Sequence, residues 1–323
     1  MGFVIYDLES TGLNKRFDQI LQFAAIRTDE SLTVVERVEF QGRLRPHILP
    51  SPGALHITGA RYDDLIDPLR PSYDAMMGSI HETLVRWTPS MFIGFNSVGY
   101  DDELLRQALY ETLRPPIFIT NMKGNSRGDL LKLARVVGTL RPDVLRCASD
   151  ANGRRVYQLA ELARANGIDP GRSHTAAADV ATTLALCQMI AAKAPDLWSS
   201  FMRFSNKAAA LEFIAEHEAF AAFEFTGGRQ DVHLVTAIGN KPTDKNVRYC
   251  LDLTVDLNAL RRMTADELMA EVSKREGPVR RLKANASPII TELWELDNEL
   301  LGDFSEADLE ATATAVRGDV GFV

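Results

Sequence analysis

Cysteine is scarce in this sequence, and no stretch is apolar enough to suggest a membrane span. The 323 residues hold three cysteines, Cys147, Cys187 and Cys250, which lie far apart and form no CxxC pair. That usage argues against a disulfide framework and against a thiolate metal site. The first residues, MGFVIYDLES, lack the basic and apolar regions of a signal peptide. We therefore expect a cytoplasmic protein with no membrane segment.

Positive charge is also in short supply, since the net charge is -8. A negative balance ordinarily argues against nucleic acid as a partner. The excess of acidic residues is local, however. Residues 292–323 hold nine acids and one base, Arg317, and so carry the whole net charge, which leaves residues 1–291 neutral overall. If metal ions hold several acids of that neutral part, its working surface is effectively basic. Bulk charge therefore does not exclude a nucleic-acid ligand.

The chain is long enough for two domains, and 46% hydrophobic with 25% charged residues is typical of a globular protein. It contains no internal repeat. Apolar periodicity predicts an α/β domain with a mixed sheet over residues 1–198. Its predicted strands are 3–8, 20–28, 34–44 and 91–96, with a loop over 46–61 and helices over 73–87, 129–140, 157–166 and 176–192.

Shorter strands dominate the remainder, which predicts a smaller β-rich domain over residues 199–323, after a hinge at 193–198. A helix over 265–273 is indicated by Thr264 and Glu267, which have the spacing of a capping box. The other predicted elements are a helix over 205–217 and strands over 220–225, 231–238 and 247–254.

Two carboxylates, Asp7 and Glu9, lie on the first predicted strand, in the segment FVIYDLES. Residues i and i+2 of a strand point to the same face. Burying an unpaired charge costs several kcal/mol, so a compensating cation is expected. Oxygen-only ligands favour Mg²⁺ or Mn²⁺. An isolated Asp-x-Glu is common, and this pair by itself does not decide between a metal site and a solvated strand end.

Three further polar residues stand in positions that allow both a structural and a catalytic role. Asp101 and Asp102 follow a strand and open a helix, where the helix dipole also favours acids. Asp179 lies on an otherwise apolar helix, five residues after His174. On a regular helix these two would be about 140° apart, so a shared site requires His174 to lie in the loop before the helix.

Taken together, Asp7-x-Glu9, Tyr100-Asp101 and His174-x₄-Asp179 resemble the motifs of the DEDDh 3′→5′ exonucleases, which have a ribonuclease-H-like fold. Within that superfamily the chain resembles bacterial exonuclease I, strongly over most of residues 1–200 and more weakly to about 290. The second domain is then expected to be SH3-like. The segments that carry the resemblance are QFAAIRTD, PSPGALHITG, GFNSVGYDDE, NSRGDLL, LRPD, LAELARANGI and SHTAAADVATT.

This family normally adds a C-terminal helical domain, which does not follow the final RGDVGFV. We therefore expect either a truncated form or a divergent short member. The missing domain puts processivity in doubt, because in the family it helps to enclose the strand.

The resemblance implies hydrolysis of single-stranded DNA from its 3′ end to 5′-mononucleotides, in DNA repair and recombination. Two Mg²⁺ ions, for which Mn²⁺ substitutes, would be held by four acids. Asp7 would bridge both ions, Glu9 and Asp179 would hold the ion that activates water, and Asp101 would hold the other. His174 would accept the proton of the water.

Substrate contacts are implied in the same way. Glu9 and the backbone of Ser10, Thr11 and Gly12 would meet the terminal sugar, and His56, Ile57 and Thr58 would wedge against the last base. Arg141, in LRPD, matches a groove residue that binds the acidic tail of single-stranded-DNA-binding protein, and a monomer is expected. The candidate phosphate contacts are Lys123 and Arg127, and in the second domain Lys274, Arg275, Arg280, Arg281 and Lys283.

Two alternatives stay open at the level of sequence. The first is a DEDDh enzyme that acts on RNA, such as an oligoribonuclease, because the catalytic motifs do not show how the 2′-OH is read. The second is a nucleic-acid-binding module with a structural metal. We also hypothesise that the acidic segment 292–319 competes with DNA for the basic surface of the same chain.

Overall fold

A computed structural model of the chain describes residues 1–171, 175–226, 229–274 and 276–319. Contacts divide the chain into two compact units, Met1–Pro195 and Asp196–Val323. The boundary predicted from the sequence, between residues 198 and 199, lies inside the helix Pro195–Phe204. Among the described residues, no helix is both long and apolar enough to cross a bilayer.

The first unit is built on a mixed sheet, as predicted, with the described strands in the order β3-β2-β1-β4-β5. Strands β1, β2 and β3 are antiparallel neighbours, whereas β4 and β5 run parallel to β1. The carboxyl ends of β1, β4 and β5 therefore meet at one edge of the sheet. The bounds are β1 Phe3–Ser10, β2 Ile20–Thr28, β3 Val34–Gln41, β4 Met91–Gly94 and β5 Ser126–Asp129, followed by the short pair β6 Ala148–Ser149 and β7 Arg155–Val156.

Helices cover this sheet and complete its core. The helix predicted over 73–87 is confirmed, and its residues Met76, Met77, Ile80 and Leu84 are all buried. They pack with strand residues such as Phe92. The helices are α1 Pro52–Thr58, α2 Tyr62–Leu65, α3 Tyr73–Arg86, α4 Asp101–Glu111, α5 Leu130–Leu140, α6 Leu159–Ala165 and α7 Ala176–Lys193. The next helix, α8 Pro195–Phe204, begins at the boundary and belongs to the second unit apart from its first residue.

Two segments expected to be irregular contain helical residues. The predicted loop 46–61 contains α1, whose first turn is capped by the Ser51 side chain, which accepts a hydrogen bond from the Ala54 N–H at 3.1 Å. Pro52 occupies the start of the helix and Gly59 ends it with a φ of 67°, so proline and glycine mark the helix ends here. The hinge expected at 193–198 is mostly helix as well, because α8 begins two residues after α7 ends.

The second unit is rich in β-structure, as predicted, with an antiparallel sheet in the order β11-β10-β9-β8-β12 among the described strands. The sequence does not predict β11, whose residues VRRLK lack a simple apolar alternation. The strands are β8 Phe220–Thr226, β9 Arg229–Asn240, β10 Val247–Asp252, β11 Val279–Lys283 and β12 Ile289–Thr291, and the helices are α9 Lys207–Glu216, α10 Leu257–Arg262, α11 Ala265–Ser273, α12 Asn298–Leu301 and α13 Glu306–Arg317.

The acidic segment 292–319 is folded into this second unit. Helix α13 buries Leu309, Ala313 and Val316. Arg317 donates hydrogen bonds to the Thr236 hydroxyl at 3.0 Å and to the His217 carbonyl at 2.6 Å. Its acids are therefore carried on packed helices and their connections.

Candidate active site

Strand β1 carries Asp7 and Glu9 at its carboxyl end, and both side chains are half-buried. The strand runs two residues further than predicted, to Ser10, and its pairing with β2 shifts between Glu9 and Ser10. On the other side, β4 pairs only with Phe3 to Ile5. Among the described residues, no strand pairs with β1 on that side beyond Ile5.

Helix α7 places a third carboxylate beside these two. Asp7, Glu9 and Asp179 each offer one oxygen, and the three oxygens lie within 4.8 Å of one another. Within the described ranges, this is the one group of three acidic, histidine or cysteine side chains close enough to share an ion. The sequence predicted these three acids as metal ligands, and the fold brings them together.

Asp101 is the first residue of α4 and adds a fourth acid to the group. Its side chain is buried, and burial raises its pKa to about 7. Burial also raises the pKa of Asp7 well above its usual range. The charges of Asp101, Glu9 and Asp179 raise it further. Burial, with the charges of Asp179 and Asp101, raises the pKa of Glu9 to about 8. The four acids therefore repel one another at one buried site.

An Mg²⁺ or Mn²⁺ ion fits this donor set. Six oxygens at about 2.1 Å from an octahedral ion are about 3 Å apart when adjacent and about 4 Å apart when opposite. The oxygens of Asp7, Glu9 and Asp179 lie within 4.8 Å of one another, which is close to those separations. The raised pKa values of Asp7, Glu9 and Asp101 show that the site favours protons when it holds no metal, and a cation would take the place of those protons. All donors are oxygens, which suits these hard ions.

Asp102, the neighbour of Asp101, is buried in a different environment. Its Oδ2 accepts a hydrogen bond from Arg106 Nη2 at 2.9 Å and another from Arg127 Nη1, and its Oδ1 accepts one from the Thr120 hydroxyl. Arg127, predicted as a phosphate contact, thus pairs with a buried carboxylate, and its contact with DNA stays a prediction. Of these two adjacent acids, Asp101 is the one predicted as a metal ligand, and its charge raises the pKa of Asp7.

The segment after β1 is held in a defined conformation. The Ser10 and Tyr100 hydroxyls lie 2.7 Å apart, and the Tyr100 hydroxyl donates to the Gly12 carbonyl. Asp18 accepts a hydrogen bond from the Thr11 hydroxyl at 2.7 Å. A Cβ on Gly12 would lie only 2.7 Å from an Asp18 carboxylate oxygen, so a side chain at this position would displace that carboxylate. The predicted sugar-binding segment, residues 10–12, is therefore preformed.

The predicted wedge, His56 to Thr58, lies at the carboxyl end of α1. His56 and Ile57 are exposed, and Thr58 is half-buried. Thr58 and Glu9 line the same cavity of about 430 Å³, together with Arg61 and Arg70. A hydrogen bond of 2.8 Å from the Ser51 N–H to the Thr11 carbonyl also joins α1 to the segment after β1. The structure thus brings two of the predicted substrate-binding segments together.

Other predicted residues lie elsewhere or outside the described part. His174 falls outside the described residues, which resume at Thr175, the residue before α7. Arg275 also falls outside them. Lys123 is exposed in the turn before β5, with a φ of 55°, and Arg141 ends α5.

The remaining basic candidates belong to the second unit, and two of them already have acidic neighbours. Lys274 pairs with Glu271 at 2.5 Å, and Arg280 lies 3.8 Å from both Glu224 and Asp252. Arg281 and Lys283 lie on β11 and are both exposed.

Asp129 is a buried acid near the site that the sequence analysis did not select. It ends β5 and caps α5, and its Oδ1 accepts hydrogen bonds from the N–H groups of Asn96 at 2.8 Å and Leu131 at 3.1 Å. Burial raises its pKa, and its charge in turn raises that of Asp101. An acid between a strand and a helix, in NSRGDLL, was the available signal.

Comparisons with known sequences agree with this arrangement. Residues 4–187 match the sequence family described as Exonuclease, of the RNase T type. The chain is 30% identical over 294 residues to exodeoxyribonuclease I of Haemophilus influenzae, which covers 89% of this chain and 62% of that protein. It is 26% identical over 303 residues to exodeoxyribonuclease I of Escherichia coli, covering 90% and 63% respectively. The chain therefore spans a little over three fifths of the length of these relatives.

Solved structures give the same fold. Exonuclease I from Methylocaldum szegediense superimposes with a TM-score of 0.84 at 25% identity, over 99% of this chain and 71% of the other. The Escherichia coli enzyme in complex with a dA16 oligonucleotide gives a TM-score of 0.84 at 24% identity, over 99% and 72%. The predicted combination of an exonuclease domain with a β-rich domain is confirmed at the level of fold.

Proposed function

This chain belongs to the exonuclease family, and from that membership we propose that it is a metal-dependent 3′→5′ exonuclease. Its substrate is single-stranded DNA, which it degrades to 5′-mononucleotides in repair and recombination. The choice of DNA is supported by the relatives named exodeoxyribonuclease I and by the solved neighbour that holds dA16. An RNA substrate is the alternative that the experiment below addresses.

One observation carries the chemical part of the proposal: three carboxylate oxygens converge within 4.8 Å, beside the buried acid Asp101. In a purely structural role, such a group would only cost free energy, because burial and mutual repulsion disfavour every charged form. A divalent cation offsets both effects. We therefore assign the ligand role to Asp7, Glu9, Asp101 and Asp179, with Mg²⁺ as the proposed ion and Mn²⁺ as a substitute.

When bound, two such ions would lower the pKa of a water and neutralise the charge that develops on the phosphate and on the leaving oxygen. The protein contributes position. Asp7 and Glu9 are fixed by the pairing of β1 with β2, and Asp179 is fixed within α7. Asp101 is the first residue of α4, the helix that follows β4 in the chain.

The 3′→5′ direction of digestion would follow from how the protein holds the 3′ end of the DNA strand. We assign the terminal sugar and its 3′-OH to Glu9 and residues 10–12, which Tyr100 and Asp18 hold in place. His56, Ile57 and Thr58 would contact the last base, and stacking without base-edge hydrogen bonds makes removal sequence-tolerant. His174 would accept the proton of the attacking water, since imidazole titrates near neutral pH.

Single-stranded-DNA-binding protein is the proposed protein partner, supported by a solved structure of SSB with exonuclease I. An acidic tail is attracted to cationic side chains. Arg141 is the candidate in the first unit. The second unit offers a cavity of about 440 Å³, which is lined by the apolar residues Leu211 and Ile214 and by the cations Arg248 and Arg317.

We further propose a monomer in the cytoplasm, where the three free cysteines are stable.

The proposal is tested by digestion of matched single strands. A DNA oligomer labelled at its 5′ end should give a ladder that shortens from the 3′ end, and a label at the 3′ end should be released at once as a mononucleotide. An RNA strand of the same sequence should persist. Degradation of RNA alone would move the substrate to RNA, and release starting from the 5′ end would contradict the assigned polarity.

A further inference from the structure

Asp102 is a buried carboxylate beside the proposed metal site whose function the proposed mechanism leaves open. Only 2% of its side chain is exposed. Both of its oxygens are engaged: Oδ1 with Thr120, and Oδ2 with Arg106 and Arg127. Three side-chain donors from the protein therefore already compensate this carboxylate. Its role, if it has one in the reaction, must be indirect.

The partners of Asp102 come from three different elements. Arg106 lies one turn further along α4. Arg127 belongs to β5, and Thr120 belongs to the short 3₁₀ helix Ile119–Asn121. The Asp102 N–H also donates to the Ser97 carbonyl at 3.0 Å. These contacts fasten the first turn of α4 to the neighbouring strand and to the connection before it.

The residue fastened in this way directly follows Asp101. Consecutive residues of an α-helix point about 100° apart, so fixing the direction of one also fixes the direction of the other. Asp101 faces a cluster that repels it, because its charge raises the pKa of both Asp7 and Glu9. Without an anchor, a rotation or retreat of the first turn of α4 would relieve that repulsion.

We infer that Asp102 is a positioning residue: through Arg127 and Thr120 it holds the first turn of α4 so that Asp101 stays at the metal site. This inference rests on the proposed function for the identity of the site. It also assigns a role to Arg127 that differs from a phosphate contact. Groups that orient metal ligands typically contribute 10- to 100-fold to metal affinity or activity.

The direct test is the affinity of the metal-free protein for Mn²⁺, measured from the electron paramagnetic resonance signal of the free ion. Asp102→Asn keeps the size of the side chain and removes its charge. We expect its Mn²⁺ affinity to fall about 10- to 100-fold. The kcat for single-stranded DNA should fall by a similar factor, whereas KM should stay within about twofold, because Asp102 does not contact the strand.

A milder variant covers the case in which Asp102→Asn does not fold, because the loss of one partner of a buried ion pair is strongly destabilising. Thr120→Val removes one hydrogen bond to Asp102 and leaves both arginine contacts. It should weaken Mn²⁺ binding several-fold, in the same direction. Circular dichroism at the temperature of the titration shows that each variant is folded.

Glu103→Gln is the matched control, since Glu103 is an acid of the same first helical turn but pairs with Lys15 at the surface. Its Mn²⁺ affinity and kcat should equal those of the wild type. Wild-type Mn²⁺ affinity in folded Asp102→Asn or Thr120→Val would overturn the inference, and so would an equal loss in Glu103→Gln. A wild type that binds Mn²⁺ without cleaving nucleic acid would refute the proposed function, and the Mn²⁺ affinities would still decide the role of Asp102.

Discussion

The first unit contains two kinds of carboxylate: one is paired with basic side chains, and the other is surrounded by acids. Asp102 accepts hydrogen bonds from two arginines and a threonine, so its charge is balanced by the protein. Asp7 has other acids as its charged neighbours, and burial and their charges raise its pKa well above the usual range. Removal of the charge of Asp102 should therefore lower the stability of the folded protein, whereas removal of the charge of Asp7 should raise it.

Replacement of Asp7 by asparagine should raise the melting temperature of the metal-free protein by several degrees, because it removes one buried, repelled charge. The same change should lower nuclease activity about a thousandfold or more, since the metal contributes several kcal/mol to the transition state. Thermal unfolding in EDTA at pH 8, beside digestion in Mg²⁺, checks both expectations.

Asp74→Asn is the control for this pair of measurements, because Asp74 is also an acid but lies in the first turn of α3 and pairs with Arg114 at the surface. It should leave activity unchanged and should not raise the melting temperature. A lower melting temperature for metal-free Asp7→Asn would contradict the repulsion described here.

The sequence showed the individual acids of the site more readily than their partners. Asp7 and Glu9 are two residues apart on a strand, and this period alone puts both on one face. Asp101 and Asp102 were harder to separate, since both open α4. What separates them is the position of Arg127 and Thr120, which are distant in sequence. Tertiary pairing of this kind leaves no local pattern.

At the scale of elements, the connection between β4 and α4 decides where Asp101 lies. Gly94 ends β4 at a point of close approach: a Cβ there would lie 2.4 Å from the Ser97 Cβ and 3.1 Å from the Tyr6 carbonyl oxygen. Ser97 in turn accepts the hydrogen bond from the Asp102 N–H. A side chain at residue 94 would therefore push the start of α4 away from β1.

Gly94→Ala should destabilise the protein by about 1–3 kcal/mol, the usual cost of overpacking a buried position. It should also lower kcat by about tenfold or more, because a small displacement of a ligand weakens the site. Chemical denaturation and steady-state digestion measure the two effects.

Gly99→Ala is the control for Gly94→Ala. Gly99 lies in the same connection between β4 and α4, but nothing lies within 4 Å of a Cβ built on it. That variant should match the wild type in both measurements. Equal losses in the two variants would mean that the connection needs flexibility and not close approach.

Elements with a clear local signal in the sequence were predicted with good accuracy, whereas several short elements were not. The predicted helix over 265–273 is observed as Ala265–Ser273, with the predicted capping box between Thr264 and Glu267. Helix α1 was missed because its prolines and glycines were interpreted as loop residues. Strand β5 has four residues, SRGD, and its place in the sheet depends on pairing with β4.

At the scale of the whole molecule, the buried acids make stability depend on pH and on metal together. Glu9 has a raised pKa of about 8 and Asp101 of about 7 in the folded protein. Between about pH 4 and pH 8 the folded state therefore binds more protons than the unfolded state. The free energy of unfolding of the metal-free protein should fall as the pH rises through this window.

Mg²⁺ should counteract this fall, because the cation takes the place of the protons. The increase in melting temperature on addition of Mg²⁺ should be several degrees larger at pH 8 than at pH 5. Glu9→Gln should reduce that difference. Thermal melts at the two pH values, with Mg²⁺ or EDTA, measure it; an equal increase at both would show that the acids do not titrate as described.

The acidic segment 292–319 also acts at this scale, if the hypothesis of competition with DNA is right. Glu299, Asp303 and Glu310 are exposed there, so their replacement by neutral amides should leave the fold intact. We expect DNA affinity to rise a few-fold at 20 mM salt and to be unchanged at 300 mM, where charges are screened. Fluorescence anisotropy with a labelled oligomer measures both; an unchanged affinity at low salt would remove the hypothesis.

The account depends most directly on the carboxylates as the source of metal-dependent cleavage. The measurement that tests this claim is digestion of a 5′-labelled single-stranded DNA oligomer by the wild type and by Asp179→Ala, each with Mg²⁺ and with EDTA. We predict a ladder that shortens from the 3′ end for the wild type in Mg²⁺ and intact DNA in the other three reactions. Cleavage by the wild type in EDTA, or by Asp179→Ala at the wild-type rate, would contradict the account.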